Sequence, residues 1–345
     1  MGDSVFMSSN RRYEITPQME DYDKLEPNWT PLLMFFQKPN MEFKSVSTDK
    51  FGFRTTYKKN NFEKVKFENF KKKTNEAKGI ILGGSTAFGV GSTHDKYTIP
   101  SLLNEFSDTV WFNFGGRAFS STQEALLLLL NRPVELDHIV IFSGINNLTL
   151  SCLSNYNSSV YNSFYFQNKF DQSMFFDCNQ IMGVKYSFLH FLKQINAKIT
   201  NNRQKYIPKT KILDQEKYDN VLLAFKRDID LLSLLSKDCN CKISFVFQPI
   251  ATWIEKKLSK EEKELFEILD NHSAAHWKIL STYIKDKQQN YIEDVKNICE
   301  SFNVPFIDLN SYKDFTREEW LFVDRAHLTD SGNKLVFKII LEELL

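Results

Sequence analysis

Five short segments of this chain are apolar almost without interruption: "GIILGG" (79–84), "TVWFNFGG" (109–116), "LDHIVIFSG" (136–144), "CKISFVFQP" (241–249) and "VPFIDLN" (304–310). Runs of this length that stop at Gly, Pro or Asn predict strands buried on both faces. Helical spacing follows. "DKYTIPSLLNEF" places Asp95 as an N-cap, and in "SSTQEALLLLLNR" Ser121 and Glu124 have capping-box spacing. A last helix, capped at Thr329 or Asp330, closes the sequence. Alternating strands and helices predict a parallel sheet covered on both faces, whose ligands bind beyond the carboxyl ends of the strands.

Two stretches break this rhythm. Residues 1–75 are polar, aromatic-rich and weakly periodic, and read as an N-terminal extension of loops and short strands packing on a core domain of 76–345. Residues 148–215, rich in Asn, Ser, Tyr and Phe, follow the third strand as an insertion or lid.

Composition narrows the function classes. With 345 residues, 42% of them hydrophobic, the chain can bury a substantial core. A formal charge of +1 gives no field favouring nucleic acid. The N-terminus has no apolar signal-peptide segment, and no run approaches the ~20 residues that span a bilayer. A cytoplasmic location without an integral membrane segment is the expectation. Five scattered cysteines form neither a disulfide framework nor a metal site; Cys239 and Cys241 read as reduced thiols near a strand.

The chemistry concentrates at strand ends. In "KGIILGGSTAFGVGS", Gly84 and Gly89 have phosphate-loop spacing, but Val90 stands where Lys is required. His94 stands where a dinucleotide fingerprint needs Gly. What remains is a tight strand-to-helix turn or a nucleophile, Ser85, near helix N–H groups that favour developing negative charge. A serine nucleophile needs a base. His138 and His190 lie in apolar surroundings; His272 and His276, one helical turn apart, lack the Glu of a metalloprotease helix. His94 has only Asp95 as a neighbour to orient it. His327 stands three residues after Asp324, a spacing that lets the carboxylate curl back and fix the imidazole tautomer. Asn146 and Asn147, after Gly144, and the sharp turn at "FGGRAF" supply candidate oxyanion donors.

These four blocks, "LGGSTAFG", "NFGGRAFSS", "SGINNL" and "VDRAHLTDSGN", resemble those of the SGNH (GDSL-type) hydrolases, in the style of members associated with glycan modification. The first block has Gly84 where many members have Asp, and the second has Ala118 where the oxyanion glycine usually stands, with Gly116 the alternative donor. The resemblance covers about 78–345. It implies a flavodoxin-like three-layer α/β/α sandwich, catalytic Ser85, Asp324 and His327, and an oxyanion hole of Ser85, Ala118 and Asn146. It implies no metal or organic cofactor. The expected substrate is a small-molecule or glycan ester that loses a small acyl group, with Gly116, Arg117, Asn147 and Arg325 as candidate substrate contacts. An O-acyltransferase, thioesterase or lipase using the same residues is the alternative chemistry, and a non-catalytic glycan-binding protein the alternative class.

Overall fold

The computed structural model describes residues 11–58, 63–131, 135–153, 164–165, 213–271 and 275–345. All five predicted strands form: β1 (Lys78–Gly83), β2 (Val110–Gly115), β3 (His138–Ser143), β4 (Lys242–Phe247) and β5 (Phe306–Asp308). They pair in parallel in the order β2-β1-β3-β4-β5, the flavodoxin-like arrangement. Side chains alternate across the sheet. Ile80, Leu82, Ile139, Ile141, Phe245 and Phe247 face one core, with helices Ser121–Leu130, Gln215–Asp238 and Gln288–Ser301. Ile81, Trp111, Val140, Phe142 and Val246 face the other, with helices Ile99–Phe106, Lys260–Asp270 and Asp330–Leu344. Both faces being covered is why these strands read as continuous apolar runs.

The chain leaves β1 for β2 on one side and later lays β3 on the other. That makes the carboxyl end of β1 the topological switch point, where open α/β sheets bind ligands.

The N-terminal segment forms two small antiparallel pairs, Pro27–Thr30 with Met34–Gln37 and Thr56–Tyr57 with Lys64–Val65. Phe35, Phe36, Phe53, Phe67 and Phe70 are buried in the first core. Burying a Phe stabilises by about 1.5–3 kcal/mol, whereas an exposed ion pair adds about 0–1. Apolar burial therefore does more than the exposed ion pairs to hold this segment to the sheet.

Three local expectations change. Asp95 does not cap a helix: it is buried against Arg54, the His94 ring caps a short 3-10 turn, and Thr98 precedes helix Ile99–Phe106. The capping box before "ALLLLL" is Ser120 with Gln123, one residue earlier than Ser121 with Glu124. Ser121 Oγ is drawn instead to Asp228 at 2.6 Å, and Glu124 accepts from Ser143 at 2.6 Å. The stretch beginning at 148 opens inside a helix, Asn146–Leu153; residues 154–163 and 166–212 lie outside the described residues.

Candidate active site

β1 ends in two glycines, and the chain turns at once into the one-turn helix Ser85–Phe88. A Cβ on Gly84 would run into Asn146 Nδ2, so only glycine lets that amide lie against the turn. The helix stops at Gly89, whose φ of 90° is left-handed. Ser85 is half-buried at the start of this helix, where the first backbone N–H groups have no carbonyl one turn back within the helix to donate to.

The second element is the loop before the last helix. Phe322 bridges to Leu328, and the Val323 N–H donates to the His327 carbonyl at 3.0 Å, closing residues 323–327 into a tight turn. Inside it, Asp324 Oδ1 accepts from the backbone N–H groups of Ala326 (2.9 Å) and His327 (2.8 Å). Its Oδ2 lies 2.7 Å from His327 Nδ1, and His327 Nε2 lies 2.7 Å from Ser85 Oγ. Burial alone would raise the Asp324 carboxyl; the His327 ring and the two backbone donors outweigh it and hold the group below the ordinary carboxylate range. An ionised Asp324 can only accept, so Nδ1 carries the proton and Nε2 is free to take one from the serine. Gln248, at the end of β4, ties the two elements together. Its Nε2 donates to Thr86 Oγ1 at 2.9 Å, and Thr86 Oγ1 reaches the Ala326 carbonyl at 3.4 Å.

Ala118 and Asn146 complete the rim. Ala118 has φ 56°, a left-handed conformation costing a non-glycine residue about 1–2 kcal/mol, and it lines the same cavity as Ser85 and His327. Asn146 donates one amide hydrogen to the Phe119 carbonyl at 2.7 Å, which fixes the side chain and leaves a second N–H on the same nitrogen. The cavity, about 230 Å³, has Ile145, Leu150, Leu153, Trp277 and Leu280 on one wall and Arg12, Asp23 and Arg117 on another.

The four candidate substrate contacts divide. Arg117 lines the cavity. Gly116 lies against the Phe119 ring, its N–H donating to the Gly83 carbonyl, and is not part of the cavity wall. Asn147 is buried away from it, accepting from the Ser121 N–H at 2.9 Å and donating to Ser121 Oγ at 2.6 Å. Arg325 is no substrate contact either. Flanked by Asp324 and Ala326, which both line the cavity, it points outward to Asp270, at 3.0 and 2.5 Å, and covers the Phe266 ring. Of the other histidines, His94 Nδ1 accepts from the Lys96 N–H and His138 lies against Trp111. His190 and His272, like Cys178, lie outside the described residues.

Sequence reasoning missed the N-terminal wall. Met19, Tyr22 and Asp23 line the cavity. From the same helix, Gln18–Asp23, Gln18 donates to the Gly91 carbonyl and Tyr22 OH to the carbonyls of Gly89 and Ser92. Nothing in a local pattern signals such distant contacts. Gln248 could have been found, because it ends a predicted strand where the other site residues end theirs.

A flavodoxin-like sandwich that brings Ser, His and Asp into one hydrogen-bonded line at its switch point has the construction of a serine hydrolase. The likeness to the SGNH (GDSL-type) hydrolases thus extends from the four blocks to strand order. No family model matches the chain, and no curated protein matches it. Among solved structures it is similar to the acetyl xylan esterase AlAXEase, with 14% identity and a TM-score of 0.40 over 78% of this chain and 100% of that one. It is also similar to an extracellular lipase from Streptomyces rimosus and an aryl esterase from M. smegmatis. Each has 10% identity and a TM-score of 0.40, again over 78% of this chain and 100% of the other.

Proposed function

We propose that the protein is a serine esterase that removes a small acyl group, such as acetyl, from a carbohydrate or glycoconjugate. The observation that carries the esterase reading is the unbroken line from Asp324 through His327 to Ser85 at the cavity. In the first half-reaction Ser85 Oγ attacks the ester carbonyl as its proton passes to His327 Nε2. The resulting oxyanion is received by the Ser85 and Ala118 backbone N–H groups and the free Asn146 amide hydrogen. Collapse breaks the C–O bond to the alcohol, which leaves with the proton from His327. In the second, water gives its proton to His327, attacks the acyl-serine and releases the carboxylic acid with Ser85 restored.

The two unlike walls support the division of the substrate. The apolar wall suits the acyl group, and the charged wall suits a polyhydroxyl alcohol. Hydrolysis of p-nitrophenyl acetate and labelling by a fluorophosphonate, located by mass spectrometry, test the mechanism. Wild type should turn over and carry the label on Ser85, and Ser85→Ala should lose both. A folded wild type that does neither overturns the esterase reading in favour of a binding protein.

A further inference from the structure

We propose that Arg117 is a receptor for a carboxylate on the alcohol part of the substrate, so that the natural ester is one of an acidic sugar or a similar carboxylate-bearing alcohol. The inference rests on the esterase reading for the identity of the bond cleaved, while the anion site itself stands on separate observations.

Arg117 lines the cavity that holds Ser85 and His327. A guanidinium has five N–H donors. Here Nη1 donates to the Leu25 carbonyl at 2.8 Å, and Arg117 forms no ion pair with any described carboxylate. Asp23 attracts it, but that carboxylate is already held by Arg12 Nη1 at 2.5 Å and Tyr13 OH at 2.9 Å. On the same wall Arg12 Nε is a buried N–H with no acceptor among the described residues. The other carboxylate of the cavity, Asp324, is saturated by His327 and two backbone donors. Among the described residues this wall therefore has two guanidinium groups against one carboxylate.

Withdrawal from water weakens Arg117's hold on its proton, and the nearby Asp23 charge offsets that only in part. An anion in the cavity offsets that cost, and a carboxylate matches the planar fork of a guanidinium with two parallel hydrogen bonds. A neutral sugar offers hydroxyls in the same place but leaves the charge unbalanced. The Leu25 carbonyl fixes one arm of the group and so presents the rest in a set orientation.

The test compares two esters that differ only at C6, hydroxymethyl in methyl 2-O-acetyl-glucopyranoside and carboxylate in methyl 2-O-acetyl-glucuronopyranoside. The quantity read is the ratio of kcat/KM, acid over neutral, which cancels general damage to the site. Wild type should favour the acid about tenfold or more, which is about 1.4 kcal/mol. In Arg117→Gln the ratio should fall to about one, and in Arg117→Lys, which keeps the charge and loses the fork, it should lie between. A ratio that is the same in wild type and Arg117→Gln, or a wild type that prefers the neutral ester, overturns the proposal. Calorimetric binding of methyl glucuronoside to Ser85→Ala supplies a readout without turnover. It should saturate, and should weaken about tenfold when Arg117→Gln is added. If neither ester is hydrolysed and Ser85 does not label, the esterase reading fails and this titration alone decides the anion site; no dependence on Arg117 there overturns it.

Discussion

Arg54 and Arg117 both lie where the N-terminal segment meets the sheet, and the fold treats them in opposite ways. Arg54 is fully enclosed. Its Nε donates to Asp95 at 2.8 Å, Nη1 to the carbonyls of Phe88 and Gly89, and Nη2 to Ser45, while the guanidinium plane rests near Tyr22 and Phe88. Asp95 in turn accepts from Ser47 and Thr55. Arg117, tied to the segment at Leu25, has that one backbone partner among the described residues and faces the cavity. The difference separates a charge used up in folding from a charge left over for binding. A satisfied network specifies structure; surplus donors at a cavity specify a ligand.

Substitutions in the two regions should therefore fail in different ways. The largest effect is expected at the site: Asp324→Asn should lower kcat by about 10⁴-fold, because an amide no longer holds His327 in the tautomer that accepts the serine proton. Steady-state kinetics check this, and a loss below about tenfold would mean that Asp324 does not orient the base. Next, Arg54→Met should cost about 3–5 kcal/mol of stability by leaving Asp95 buried and unpaired. Urea unfolding reads this directly. A change under about 1 kcal/mol would erase the distinction drawn between the two arginines.

The smallest effect concerns a buried acid in the helix Ser121–Leu130. Burial pushes the Glu124 carboxyl up from 4.5 to about 8; the hydrogen bond from Ser143 opposes that shift and the neighbouring Asp228 charge adds to it. Folded protein keeps this proton up to about pH 8, whereas the unfolded chain releases it near 4.5. Between those values the unfolded chain binds fewer protons, so stability falls as pH rises. Glu124→Gln should remove that slope, losing about 2–3 kcal/mol less than wild type between pH 5.5 and 7.5. Parallel slopes in denaturation at the two pH values would refute the assignment.

The parts of the molecule legible in the sequence are those with local signatures. Strands covered on both faces must be apolar throughout, so β1 to β5 could be read from their runs. Asp324 and His327 could be read because three residues of loop suffice to bring a carboxylate under an imidazole. Legibility stopped where two candidates had the same local description. Ser120 and Ser121 are equally good caps, and Asp228, over a hundred residues away, claims Ser121. Arg117 and Arg325 both flank site residues, and only the distant partners Leu25 and Asp270 separate them. Asp95 looked like a helix cap because its true partner, Arg54, stands 41 residues earlier in a segment with no periodicity.

The short helix Gln18–Asp23 has a mechanical consequence. Met19, Tyr22 and Asp23 face the cavity, while Gln18 and Tyr22 hold the carbonyls just beyond the Ser85 helix. One lever thus lines the cavity with one side and holds the nucleophile's mount with the other. Whatever presses on that wall also presses on the footing of the serine.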